Sequence, residues 1–321
     1  MNETFFCTKE FVTEYAQVLG SGVHAHAVTV DGSGPRRAMY ALRWPTRYCT
    51  YELKMAPHCL YASPGWEGSL ERSTVEGILR RVTGARNRSL EWHVRFDHPE
   101  LAAHMISLGM KAERKLAHIV PLLQDYEEVA SKYESIRRYE VRRAPREGVV
   151  VGEAACAAQV DGYLELHRRC FERKNVDTGW PERLIAYLAS LRGRARLFVA
   201  EHQGRIVAGG LFCRDGSGLH YVHGARDPDF KGSFLGSSVM DAGIRWGCAT
   251  GCAFLNLANS GGRAALEHFK KSWGTREEWT WYFRWENPLW ARLGRLKKQV
   301  LFWDRGQNRS VASGQQIVVA H

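Results

Sequence analysis

No run of apolar residues in this chain approaches the roughly 18 needed to cross a bilayer. A membrane span is therefore not expected. The opening MNETFFCTKEF has Glu3 and no basic stretch before an apolar run, which reads as no secretory signal. Cysteine is sparse, at eight in 321 residues. Without an oxidising compartment those thiols are expected to stay reduced, in a cytoplasmic protein. Cys248 and Cys252 stand four apart, but no second pair has zinc-site spacing, so no metal is expected and small buried side chains are the plainer reading. Acidic residues are outnumbered, 34 against 45 Lys and Arg, giving a net charge of +11. The sequences G-x-x-x-x-G-K-[ST], H-E-x-x-H and G-x-S-x-G are all missing, which removes the P-loop, zincin and hydrolase-elbow readings. GSGVHA at 20–25 fits G-x-G-x-x-A but precedes a strand-like run with no strand before it, so it fails as a dinucleotide fingerprint.

What is present suits a folded protein. Apolar residues make up 45% and charged residues 25%, ordinary values that argue against wholesale disorder. The length suggests about two domains. Basic excess is uneven: residues 1–149 hold 21 basic and 18 acidic residues, and residues 150–321 hold 24 and 16.

Turn signals fall at 31–35 and 63–69. Strands are expected at 23–30 and 38–44 across the first turn, at 89–96 and at 116–122. Helices are expected at 70–83, from apolar spacing near 3.6, at 99–108 behind Pro99, and as one charged helix over 125–146. The second half reads as strand 148–154, helices 157–171 and 182–191, and strands 195–201, 206–213 and 219–225. Helix 235–249, strand 253–258, helix 263–272 and strand 279–285 follow. Hairpins followed by helix, strand, helix and strand imply a mixed α/β sheet.

The ordered set AEHQGRIVAGGL (200–211), a His/Tyr strand, a helix, a strand and HFKKSWG (268–274) resembles the second domain of Fem-type (FemAB-like) aminoacyltransferases. It equally resembles their GNAT-like acetyltransferase relatives with BioF2-like domains. Residues 95–151, with RRYEVRR at 137–143 before GVVV, are similar to that family's linking region. The resemblance covers roughly residues 90–290. It implies an α/β (α+β) chain of two tandem GNAT-like domains with mixed, mostly antiparallel sheets. The expected division is a degenerate domain at 1–124, a basic linking helix at 125–147, a transferase domain at 148–290 and a basic extension at 291–321. It further implies an acyltransferase that moves an amino acid from aminoacyl-tRNA to an amine or hydroxylamine, on a cell-wall precursor or a small natural-product intermediate. The alternative is transfer from acetyl-CoA or another acyl-CoA as co-substrate. No bound cofactor, DNA or membrane is expected in either case.

The residues bear on the donor. An acyl-CoA enzyme of this kind needs Q/R-x-x-G-x-G/A at a helix start to cradle pyrophosphate. Here ARDPDFKGSFLGSSV (225–239) offers Gly232, Gly236, Lys231 and Arg226 at a different spacing. A tRNA donor calls for a basic surface. Arg137, Arg138, Arg142, Arg143 and Arg146 crowd one segment, and seven Lys or Arg fall within 284–309. A solvated helix face, with glutamates pairing at i,i+4, is the other reading of the first cluster.

Lys270 is the first candidate to stabilise the oxyanion or leaving oxygen, because the family's Phe-Lys pair lies next to the RNA end. Phe269 could stack on the terminal adenine or simply anchor the core. His223 is the candidate base, with Tyr221 expected on its face of the strand and His220 on the other; a core histidine is the alternative. Asn256 and Asn259 could order the acceptor crevice, Asn259 equally as a turn residue.

Overall fold

The computed structural model describes residues 5–20, 22–30, 37–46, 49–55, 76, 77, 79, 80, 82, 84, 86–94, 99–122, 125–174, 181–232 and 234–293. Eleven described strands form one sheet: β1 (His24–Val30), β2 (Arg37–Thr46), β3 (Thr50–Met55), β4 (Asn87–Val94), β5 (Lys111–Pro121), β6 (Val149–Glu153), β7 (Ala195–His202), β8 (Arg205–Asp215), β9 (Gly218–Arg226), β10 (Phe254–Asn259) and β11 (Arg276–Glu286). The helices are α1 (Lys9–Leu19), α2 (Pro99–Ser107), α3 (Tyr126–Ser131), α4 (Ser135–Arg146), α5 (Ala157–Lys174), α6 (Glu182–Ser190), α7 (Phe234–Ala249) and α8 (Ala264–Lys271).

The strand order is β1-β2-β3-β4-β11-β5-β10-β9-β8-β7-β6. Apart from the edge strand β6, it reads as the same plan from either end. Three antiparallel strands lead to a parallel pair, β3 with β4 in the first half and β9 with β10 in the second. Each half then sends its last strand across: β11 pairs with β4, β5 pairs with β10, and the two pair with each other at the centre. The expected pair of sheets is thus one continuous sheet with exchanged strands. Strands β1–β5 precede residue 124 and β6–β11 follow it, and all belong to the one sheet.

Burial explains the local elements. In α1, Thr8 accepts the Phe11 N–H at 3.3 Å, Phe11, Val12, Tyr15, Ala16 and Leu19 face the core, and Gly20 closes the helix at φ +91°. One core gathers Phe6, Phe11, Tyr15, Trp92, Tyr163 and Leu184, and a second gathers Phe212, Phe234, Leu235, Trp246 and Trp273. On β8, Gly209 lets the Tyr163 ring approach where a Cβ would stand 2.5 Å from it.

The helix expected over 125–146 is broken into α3 and α4. Tyr133 turns inward onto Trp273, with ring centroids 4.8 Å apart, and Glu134 N–H donates to the Ser272 carbonyl at 2.9 Å. Helix α1 and strand β3 were not expected. Of the helix expected at 70–83, Leu79 and Val82 are helical and buried, and 70–75 lie outside the described residues. So do both expected turns, at 31–35 and, beyond them, at 63–69.

Candidate active site at the parallel strand ends

The sheet opens where β9 and β10 part. They pair only through Phe254–Asn256 and Gly218–His220, while β9 runs on to Arg226. Beyond Asn256, β10 bends. Ala258 takes φ +57°, the Asn256 side-chain carbonyl accepts the Ala258 N–H at 2.7 Å, and the β10–β5 register shifts between Asn256 and Asn259. Asn256 is buried, and its amide lies 3.5 Å from His220 Nδ1. Asn259 accepts the Gly261 N–H at 3.1 Å, the turn role allowed for it. The C-terminal ends of these strands lead into α7 and α8. Ligands of open α/β sheets sit at such strand ends.

Helix α8 carries the Phe269–Lys270 pair. Phe269 packs edge-on to Trp273 at 5.9 Å and lies under the Arg137 guanidinium at 5.1 Å. Arg137 is itself buried, donating to Glu140 at 2.5 Å and Ser237 at 2.9 Å. Lys270 is 6% exposed and donates to the carbonyls of Ala258 at 3.2 Å and Asn259 at 2.7 Å. Lys271, about 100° round the helix, ion-pairs with Glu267 at 2.8 Å and Glu277 at 2.9 Å. Next to Lys270's carbonyl partners lies a cavity of about 400 Å³ between β5 and the β10–α8 loop.

The β9 histidines sit differently from the expected alternation. Leu211 pairs with His223 and Phe212 with Tyr221, so Val222 is an extra residue and β9 bulges there. The bulge puts Tyr221 and His223 on opposite faces. Tyr221 packs on Phe212 at 5.1 Å, and burial pushes its hydroxyl up to about 12. His223 faces α5, with Nδ1 2.8 Å from the Tyr163 hydroxyl and its ring 4.8 Å from His167. Burial, then the neighbouring His167, lowers it to about 3. At neutral pH His223 is an uncharged core side chain and a weak proton acceptor.

The loop before α7 is braced by carboxylates. Asp227 is buried; its Oδ1 accepts the Asp229 N–H at 2.9 Å and its Oδ2 accepts from Arg169 at 2.7 Å. Burial pushes the Asp227 carboxyl up, but that N–H and the guanidiniums of Arg169 and Arg205 outweigh it and hold it below its ordinary value. Asp229 pairs with Arg173. Arg226 and Lys231 are exposed on this loop, and Arg226 reaches the Gly232 carbonyl at 3.5 Å. Arg143 lies over the ring of Phe234, the first residue of α7, at 5.0 Å, and Arg142 is exposed on the same helix. Arg138 instead donates to the carbonyls of Ser131 and Tyr133, closing α3. Most of the C-terminal basic cluster lies outside the described residues.

Sequence reasoning passed over two residues that line the 400 Å³ cavity, His118 and Ser260. His118 sat inside an apolar run read only as a strand; a lone histidine there was the available signal. Among the described residues no group of side chains could hold a metal ion, the described cysteines are free, and no helix is long and apolar enough to cross a membrane.

Residues 131–271 match the acetyltransferase (GNAT) domain family. No curated protein matches the chain. Its fold is similar to the crystal structure of FemX, with a TM-score of 0.69 at 14% identity over 91% of this chain and 94% of that one. It is similar to the C-terminal domain of a putative lysylphosphatidylglycerol synthetase from Agrobacterium fabrum, with a TM-score of 0.59 at 14% identity over 86% and 89%. A tandem GNAT protein from the clavulanic acid biosynthesis pathway gives 0.53 at 13% identity over 86% and 88%. The mixed α/β class and the likeness of fold to FemX agree with the expectation from sequence, and the acetyltransferase (GNAT) match over 131–271 agrees with the acyltransferase class.

Proposed function

We propose that this GNAT-type acyltransferase moves an aminoacyl group from an aminoacyl-tRNA to the amine or hydroxylamine of a small acceptor. The observation that carries this reading is the loop 227–232. A coenzyme A pyrophosphate would need main-chain N–H groups there. The Asp229 N–H is already taken by the Asp227 carboxylate, and Asp229 adds a second negative charge. With that N–H taken, and with Asp227 and Asp229 holding Arg169, Arg205 and Arg173, these donors are engaged within the protein rather than open to a diphosphate. Arg143, Arg226 and Lys231 around the start of α7, with Arg142 exposed beside Arg143 in sequence, suit a polyanion that rests on the surface. Two of the similar folds bear names consistent with aminoacyl transfer, FemX and the lysylphosphatidylglycerol synthetase domain.

An aminoacyl ester is already activated, so no covalent nucleophile is required. The amine nitrogen attacks the ester carbonyl, the carbon–oxygen bond to ribose breaks, and the amine proton ends on the ribose oxygen. The protein's task is to place the two reactants and steady the oxyanion. Lys270 supplies positive charge beneath the β10–α8 loop and fixes that loop through the carbonyls of Ala258 and Asn259. A unit charge about 4 Å from a developing anion is worth roughly 4 kcal/mol at an effective dielectric of 20. Phe269 holds α8 in place through Trp273 and Arg137.

The second reading is transfer from an acyl-CoA. It is favoured by the match to the acetyltransferase (GNAT) domain family and by the similar fold of a tandem GNAT protein. The test incubates the chain with a mixture of charged tRNAs and a panel of amines and hydroxylamine, with mass detection of products. RNase-sensitive transfer is expected. Transfer from acetyl-CoA that survives RNase would replace this reading with the second.

A further inference from the structure

The cavity between β5 and the β10–α8 loop has a polar lining in which two buried atoms are left without a partner by the fold. Its walls are Glu113, Lys115, Leu116 and His118 of β5, the loop Asn259–Gly262 and Glu267 of α8. Ser260 is 6% exposed and His118 is 2% exposed. Ser260 Oγ and His118 Nδ1 have no hydrogen-bond partner among the described residues. A buried hydroxyl and a buried ring nitrogen each cost about 1–3 kcal/mol when left unsatisfied, so two on one cavity point to a ligand. Helix α8 starts directly behind Ser260, and its N-cap residue, Arg263, makes no side-chain cap. First-turn amides and the positive end of that helix therefore face the loop side.

We propose that this cavity seats the amino acid portion of the donor, a compound with an ammonium group beside an acyl carbonyl. Glu113 and Glu267, paired with Lys115 at 3.5 Å and Lys271 at 2.8 Å, keep further acceptor positions for the ammonium. Ser260 Oγ donates to the acyl oxygen. His118 Nδ1 meets a polar group of the ligand, and Leu116 contacts its side chain. The size, about 400 Å³, is at the small end of small-molecule pockets, about 300–1,000 Å³. Because β5 comes from the first half and the loop from the second, the exchange of strands builds the site.

This assignment rests on the aminoacyl-transfer reading for its role, but its test needs no RNA. Amino acid methyl esters are titrated calorimetrically into the full chain, alongside their N-acetyl counterparts, which lack the ammonium. At least one ester is expected to bind, with its N-acetyl form at least tenfold weaker. Ser260→Ala and His118→Phe are expected to weaken binding at least tenfold, and Ser190→Ala, in a separate cavity near α6, to leave it unchanged. Ser260→Ala removes one atom and keeps the test alive should His118→Phe fail to fold, as circular dichroism would reveal. Absence of ester binding, or binding that ignores Ser260→Ala in a folded protein, overturns the site. RNase-sensitive transfer alongside that result would leave the donor reading standing. Ester binding lost in Ser260→Ala with no RNA-dependent transfer would retain the site and sink the donor reading.

Discussion

The Lys270 ammonium stands 2.7 Å from the Asn259 carbonyl and 3.2 Å from that of Ala258, whereas Lys271 turns outward to Glu267 and Glu277. Adjacent lysines thus have separable roles. Hydrogen bonds to charged groups contribute about 1.5–3 kcal/mol each. Lys270→Ala is expected to destabilise the chain by about 3 kcal/mol and to slow transfer at least a hundredfold. Lys271→Ala, which loses exposed ion pairs, is expected to leave both nearly unchanged. Denaturant unfolding and single-turnover transfer, read on the same preparations, check this. A Lys270→Ala protein that is less stable but equally fast would confine Lys270 to holding the loop.

Acid should unfold the chain early. Burial, followed by Lys115, lowers His93 to about 4, and burial with His167 lowers His223 to about 3. An unfolded histidine titrates near 6.5. Between these values the unfolded state binds more protons than the folded state, so stability rises with pH and is lost as pH falls from about 6.5 toward 3–4. Each unit corresponds to about 1.4 kcal/mol per group, which makes the loss several kcal/mol. Thermal midpoints measured from pH 7 to pH 4 should fall steeply, and His223→Gln should flatten the slope. The transfer rate should carry no His223 titration near 6.5; a wild-type rate inflection there that vanishes in His223→Gln would contradict the buried, neutral assignment.

Elements with a strong local signal were legible, and long-range arrangements were not. Alternation across 195–226 gave β7, β8 and β9 to within a few residues, because neighbouring strands pair through short turns. Helix α1 carried its own signs in Thr8 and in the spacing of Phe11, Tyr15 and Leu19, which went unread. The exchange of β5 and β11 depends on pairing such as Glu113 with Tyr282, far apart in sequence, and no local pattern specifies it. At the site, HFKKSWG drew attention to Lys270, which the fold buries against the carbonyls of Ala258 and Asn259. The face of His223 was missed because one inserted residue, Val222, reverses a period of two. His118 and Ser260 become a pair only through the same strand exchange.

Glycines of β8 and α7 test how tightly the layers fit. A Cβ on Gly243 would lie 2.2 Å from the ring of Phe212, and one on Gly209 2.5 Å from that of Tyr163; both rings are fully buried. Neither ring can move without displacing its own neighbours. Gly243→Ala and Gly209→Ala are each expected to cost about 1–3 kcal/mol through overpacking. Gly236→Ala, with nothing near the added atom, should be neutral or mildly stabilising by helix propensity. Urea midpoints of the three variants should separate in that order.

The bend that opens β10 from β9 is held by two side chains, Asn256 and Lys270, against backbone strain. Ala258 has φ +57°, a conformation costing an L-residue about 1–2 kcal/mol. Asn256 accepts the Ala258 N–H at 2.7 Å, and Lys270 takes the Ala258 carbonyl. Ala258→Gly removes the steric penalty while keeping both hydrogen bonds; its gain is reduced by the greater freedom of glycine in the unfolded chain. It should therefore stabilise by up to about 1 kcal/mol and leave transfer intact. Asn256→Ala leaves a buried N–H unsatisfied and should cost about 1–3 kcal/mol. If the bend shapes the cavity, Asn256→Ala should also weaken methyl-ester binding, and the double variant should regain stability without regaining that affinity. Recovery of both together would mean that Asn256 acts only on stability, and equal loss of binding in Ala258→Gly would mean that the strain itself sets the geometry.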